Sequence, residues 1–260
     1  QQNMALTAKS SRQLKREHID SIFHGLGYNE VVNYSFVSPS MNSLSSSKRD
    51  MIDLQNPISI EMSVMRNSLW PGLLNNLSHN IKRQHKNIRI FEVGKRFSIN
   101  KKTPIETNVI AGLIYGNRTM ESWAYESARV DFFDLKGHLQ DIFTAFELNN
   151  IRLISSSHPM LCPGVSAEIR LGKTKIGMIG MLSPELSTDI KLEQDPFLFE
   201  LNYDSLKTQQ SKNYIHKEYH PSSRRDLSLL ISNEIEVDQI LNEINNLKFN
   251  YTFDWNFELK

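Results

Sequence analysis

Cysteine is almost missing: Cys162 is the only one in 260 residues. That excludes an internal disulfide and any cysteine-built zinc cluster, and a lone cysteine reads as a packed small residue. No apolar run approaches the roughly 18 residues a membrane span needs, so no membrane partner is expected. Charge of one sign is also lacking, because 30 Lys+Arg against 29 Asp+Glu leave a net +1. Any contact with RNA must then come from a local patch rather than a global field. Residues 1–11 are polar, without the apolar centre of a signal peptide, which points to the cytoplasm. Several catalytic signatures are absent as well. There is no G-x-S-x-G, no P-loop and no dinucleotide fingerprint, and Gly177 and Gly180 sit inside a strand pattern, where they permit close packing. Of eight histidines only His216 and His220 have helical ligand spacing, but Pro221 opposes a helix and no third ligand is near, so no metal site is expected.

What is present suits a globular chain with a substantial core: 39% of residues are hydrophobic and 23% charged. The organising stretch is 56–97. Residues 58–65 mix β-branched and polar types like a half-buried strand, and Ser68 is placed to cap a helix. Leu69, Leu73, Leu77 and Ile81 then recur every four residues, with Pro71 in the first turn where no donor is lost. Lys82, Arg83, His85, Lys86 and Arg89 gather around the helix end, complementing its dipole, before a strand begins at Ile88.

Elsewhere, residues 11–26 form an amphipathic helix with Ile19, Ile22, Phe23 and Leu26 on one face. Val32, Tyr34 and Phe36 alternate with polar residues as a strand buried on one side, and a serine-rich loop follows over 38–47. Residues 98–107 read as a polar turn, 109–115 as an interior strand and 132–148 as a second helix, with Asp131 or Asp134 favouring its start. Four strands at 151–155, 167–171, 175–182 and 197–203 suggest an antiparallel sheet, with a brief helix from Ser183. A polar linker over 208–218 separates a smaller domain: a strand at 226–231, a helix at 237–247 and a last strand from Phe249. That strand carries Tyr251, Phe253, Trp255, Phe257 and Leu259 on one face, a pattern read as core packing ahead of base stacking.

MSVMRNSLWPGLLNNLSHNIKRQ followed by IRIFEVGKRF, with GYNEVVNYSFVSP before and VDFFDLKGHL after, closely resembles the C-terminal portion of the β subunit of bacterial phenylalanyl-tRNA synthetase. HPMLCPGVSAEI and IGMIGMLSPEL resemble segments of the same module, with Cys162 where histidine is usual. YHPSSRRDLSLLI resembles the start of that family's ferredoxin-like anticodon-binding domain, whose second half has no counterpart after the aromatic strand. The resemblance implies an α+β fold: a lead-in over 1–10, a noncatalytic class II synthetase-like domain with an antiparallel sheet flanked by helices over 11–207, and a partial ferredoxin-like domain over 219–260.

By the same resemblance the chain is a scaffold for the catalytic α subunit in a heterotetramer, and it helps position tRNA(Phe) for ATP-dependent phenylalanylation. ATP and magnesium are expected on the holoenzyme, with none held by this chain. The α-subunit interface is expected along Ile19, Ile22, Phe23 and Leu26 and along Leu69, Leu73, Leu77 and Ile81. Contacts to tRNA are expected from Arg224 and Arg225 and from Lys82, Arg83, Lys86 and Arg89. Ser98 stands where the family pattern expects an ATP-binding arginine. Arg96 is the alternative, and it reads better as a surface or interface charge than as a replacement. Two other readings stay open: a free-standing interaction module that reuses the fold, and self-association.

Overall fold

Residues 109–115 decide the architecture. Ile110 and Ile114 are buried on one side of the strand and Val109, Ala111, Leu113 and Tyr115 on the other, so both faces must be covered. The structure, a computed structural model, describes residues 10–45, 51–100, 103–119, 122–124, 126, 128–206, 231–232, 235 and 237–246. The chain divides into two compact units, 1–212 and 213–260.

In the first unit a seven-stranded sheet contains β1 (Asn29–Glu30), β5 (Ile88–Asn100), β6 (Thr103–Tyr115), β7 (Ile151–Ser155), β8 (Leu161–Leu171), β9 (Thr174–Leu182) and β10 (Phe197–Asn202). Their spatial order is β1-β5-β6-β10-β9-β8-β7. Among the described residues only the β1–β5 pairing is parallel. A second sheet, in the order β2-β4-β3, joins β2 (Phe36–Val37), β3 (Ile52–Asp53) and β4 (Val64–Met65). Helices α1 (Ser11–Gly25) and α4 (Phe132–Ala145) cover one face of the large sheet, and α3 (Trp70–Ile81) covers the other. Short helices α2 (Pro39–Ser43) and α5 (Pro184–Asp189) complete the unit. This is the expected α+β class, an antiparallel sheet flanked by helices. In the second unit the described element is helix α6 (Val237–Asn246). The aromatic strand, residues 226–230 of the expected strand at 226–231 and the pair His216 and His220 lie outside the described residues, and Ile231 carries no regular structure.

Capping follows local chemistry. Ser10 and Gln13 form a capping box at α1, and Asp131 and Asp134 form one at α4, so two free N–H groups are satisfied at each end. Lys15 is drawn inward from the polar face of α1: its ammonium donates to the Tyr203 carbonyl at 2.6 Å and lies 3.9 Å from the centre of that ring. Burial pushes its pKa below the ordinary lysine value, with Asp204 partly compensating.

Several local expectations are corrected. Val32 and Tyr34 are exposed, because the segment before β2 turns Val31 and Asn33 inward: the Val31 N–H donates to the Phe91 carbonyl and the Asn33 amide to Glu92. The serine-rich loop contains α2, held by the buried Asn42, whose amide donates to the Met65 carbonyl and accepts from the Asn67 N–H. Residues 58–65 are a 3-10 turn (Ile60–Met62) leading into β4, and Ile58 and Ile60 point to solvent. Of the expected turn, residues 98–100 and 103–107 are the ends of two long strands: β5 and β6 pair from Ile88↔Tyr115 out to Asn100↔Thr103. Helix α3 also begins later than Ser68, with Leu69 as its cap residue.

Candidate functional site

Leu69 has no side chain able to cap α3, and the Ser68 hydroxyl and a carboxylate from far along the sequence gather at that helix end instead. Glu200, the one acidic residue in the apolar strand FLFELN, is nearly buried on the α3 face of the sheet. Its Oε2 accepts from the Ser68 hydroxyl at 2.8 Å and from the Leu69 N–H at 3.1 Å, and its Oε1 accepts from the Arg96 guanidinium at 3.0 Å. A negative group at this helix end complements the dipole. The Ser68 hydroxyl in turn accepts from the Trp70 N–H, and the Trp70 indole N–H donates to the Phe199 carbonyl at 2.9 Å. Helix, β5 and β10 are thus tied at one point.

Beside this point lies a cavity of about 370 Å³ whose lining includes Trp70, Arg96, His158, Lys175 and Glu200, the polar Ser45, Asn67 and Asn202, and the apolar Val109 and Met178. His158 meets Trp70 edge to face at 5.0 Å between ring centres. Its Nδ1 accepts from the Met160 N–H at 3.2 Å, which leaves the proton of the neutral ring on Nε2. Burial, with the Lys175 charge second, pushes its pKa down to about 4. The unfolded ring ionises near 6.5, so the unfolded chain takes up the proton first, and stability falls as the pH drops from about 6.5 to about 4. Because the ring is still partly wetted, we expect about 1–2 kcal/mol of stability to be lost across that window. Urea unfolding at closely spaced pH values should flatten there in His158→Gln, and an unchanged slope would exclude His158 as the source.

Three comparisons bear on this fold. The family model described as "Phenylalanyl tRNA synthetase beta chain CLM domain" matches residues 1–203. The chain belongs to this family. The phenylalanine–tRNA ligase beta subunit of Legionella pneumophila (strain Paris) is 40% identical over 238 residues, covering 91% of this chain and 30% of the relative. That of Coxiella burnetii is 36% identical over 236 residues, covering 90% of this chain and 30% of the relative. The chain therefore spans about 30% of the length of these relatives. Among solved structures, a Desulfitobacterium hafniense pyrrolysyl tRNA synthetase (PylSc) aligns with a TM-score of 0.58 at 15% identity, covering 76% of this chain and 66% of that one. At that identity the likeness concerns fold alone.

In this β-chain CLM domain the expected interface stripes are turned inward. Ile19 and Phe23 are 1% exposed, and Leu69, Leu73 and Leu77 are 0% exposed. Ile22, Leu26 and Ile81 pack at the edges of the same two clusters. An amphipathic stripe is satisfied by the chain's own sheet as readily as by a partner, and here the sheet takes it. The basic cluster divides: Lys82, Arg83 and Lys86 lie toward solvent, whereas Arg89 is an internal strut. Its guanidinium donates to the Leu26 carbonyl at 3.1 Å and to the Arg118 carbonyl at 2.7 Å. Arg118 then bridges Asp131 at 2.5 Å and Asp134 at 2.8 Å. Burial would raise the Asp134 carboxyl, but its hydrogen bonds to Arg118 and the Asp131 N–H hold it below its ordinary range. Arg224 and Arg225 lie outside the described residues. Arg96 is not a free surface charge, since Glu200 holds its Nη1 at the cavity. Sequence reasoning missed Glu200, Trp70, His158 and Lys175. A single carboxylate within FLFELN was the available signal for the first. Among the described residues no cluster of His, Cys, Asp or Glu suits a metal, and no helix is long and apolar enough to cross a membrane.

Proposed function

We propose that the chain acts as a noncatalytic part of the phenylalanine–tRNA ligase β subunit in the cytoplasm, scaffolding the catalytic α subunit and helping position tRNA(Phe). ATP and magnesium, in this reading, are held by the α subunit. Support for a scaffold comes from apolar side chains left in water around β2. Val32 and Tyr34 precede that strand and are 87% and 72% exposed, and Ile58 and Ile60, beside and within the adjoining 3-10 turn, are 85% and 87% exposed. Exposed apolar residues gathered in one region suit a protein interface. The exposed Lys82, Arg83 and Lys86 suit phosphate contacts, which position a nucleic acid without reading its sequence.

Copurification with a catalytic α subunit tests the scaffold. Val32→Asp combined with Ile60→Asp should weaken the complex at least about tenfold while the chain remains folded by circular dichroism. A complex indifferent to these changes, or no complex with folded chain, would overturn the reading. In the assembled enzyme, alanine at Lys82, Arg83 and Lys86 should lower the salt dependence of tRNA(Phe) binding by about one logarithmic unit for each phosphate no longer neutralised.

A further inference from the structure

The network around Glu200 leaves a particular set of groups unspent. Both oxygens of Glu200 are occupied, and the Ser68 hydroxyl both donates and accepts, so neither offers the cavity a free acceptor of its usual kind. The cationic and imidazole side chains of the lining keep donors to spare. Arg96 uses Nη1 on Glu200, while its Nε and Nη2 have no partner among the described residues. The Lys175 ammonium donates to Glu168 at 2.9 Å and has two further protons. His158 presents its Nε2–H, its Nδ1 being engaged by Met160. With Arg96 and Lys175 positive, Glu200 negative and His158 neutral, the lining carries one net positive charge. The apolar part of the lining on the α3 face of the sheet comes from Trp70, Val109 and Met178. The volume of about 370 Å³ is at the small end of ligand sites.

We propose that this cavity is a binding site for a small oxyanion, a carboxylate or phosphate group, borne on a short apolar body. Arg96 and Lys175 pair with the charged head, and the Trp70 side takes the body. Glu200 does not repel such a ligand outright, because the Arg96 charge offsets its own, two neutral donors occupy its other oxygen, and it holds Arg96 in place. The site is independent of the α-subunit surface around β2, so either proposal stands or falls alone.

The test is a titration of the full 260-residue chain at low ionic strength with hexanoate, inorganic phosphate and hexanamide, the last as a neutral analogue of the first. Binding is read from the Trp70 indole N–H signal in proton–nitrogen spectra. We expect saturable shifts with an oxyanion, at least about tenfold tighter than with hexanamide, and about five- to tenfold weakening in Lys175→Gln and in Arg96→Gln. Lys175 is half exposed, so its variant keeps the test informative if loss of Arg96 disturbs the fold through Glu200. Phosphate binding more tightly than hexanoate assigns the site to the head group alone, and the reverse order assigns a role to the apolar wall. Equal binding of hexanamide, an unmoved Trp70 signal, or unchanged affinity in Lys175→Gln would overturn the proposal.

Discussion

Replacing Arg66 with alanine is expected to destabilise the chain by about 3–5 kcal/mol, because Glu92 would be left charged and buried without its partner. The guanidinium Nη1 lies 2.6 Å from the Glu92 Oε1, and the two side chains are only 5% and 3% exposed. Arg66 Nε also donates to the Lys95 carbonyl at 2.9 Å, and the Asn33 amide donates to the other Glu92 oxygen at 2.8 Å. Gly94 makes room for this pair, since a Cβ there would collide with Arg66 Nη2. Changing both partners together, Arg66→Met with Glu92→Leu, should cost less than either loss alone, as both charges leave the interior. Urea midpoints at constant slope measure this, and a single-variant loss below about 1 kcal/mol would mean that the pair is not closed in solution. Because Asn33 is anchored to Glu92, the Arg66 variant should also loosen Val32 and Tyr34 and weaken the proposed complex with the α subunit.

Phe23→Ala should cost about 3–5 kcal/mol in the isolated chain. Its ring stacks on Phe91 at 4.4 Å and on Phe199 at 5.8 Å, and meets Tyr28 edge-on at 5.3 Å. Phe199 in turn lies over Gly112, where a Cβ would approach its ring to 2.6 Å, so the cluster has little freedom to collapse into a gap. The experiment separates two roles for α1. A core residue lowers the melting temperature of the chain by itself, whereas an interface residue leaves that unchanged and weakens only the complex.

Periodicity made the helices legible, and it could not say what covered them. Leu69, Leu73 and Leu77 form one seam in sequence and in structure, yet nothing in the four-residue repeat distinguishes the chain's own β5 and β6 from a foreign surface. Strand polarity was readable where burial is two-sided, as at 109–115. It failed at 32–36, because hydrogen bonds from Val31 and Asn33 to β5 reverse the inward face. The cavity was hidden for a different reason. Ser68 and Glu200 are 132 residues apart, and no local pattern announces a pairing at that distance. Glu92 and Glu200 each sit as a lone carboxylate in an apolar strand, which signals a buried partner without naming it.

The position of β10 also sets an order for folding during synthesis. β5 with β6, and β8 with β9, are hairpins that close between near neighbours, but β10 pairs with β6 on one side and β9 on the other. It leaves the ribosome after both. Until residue 202 has emerged, each hairpin therefore waits with one edge unpaired, the state in which strands most readily add to a wrong neighbour. Closing the gap joins segments far apart in the chain in a single step, so the last strand makes the unit slow to complete and cooperative once complete.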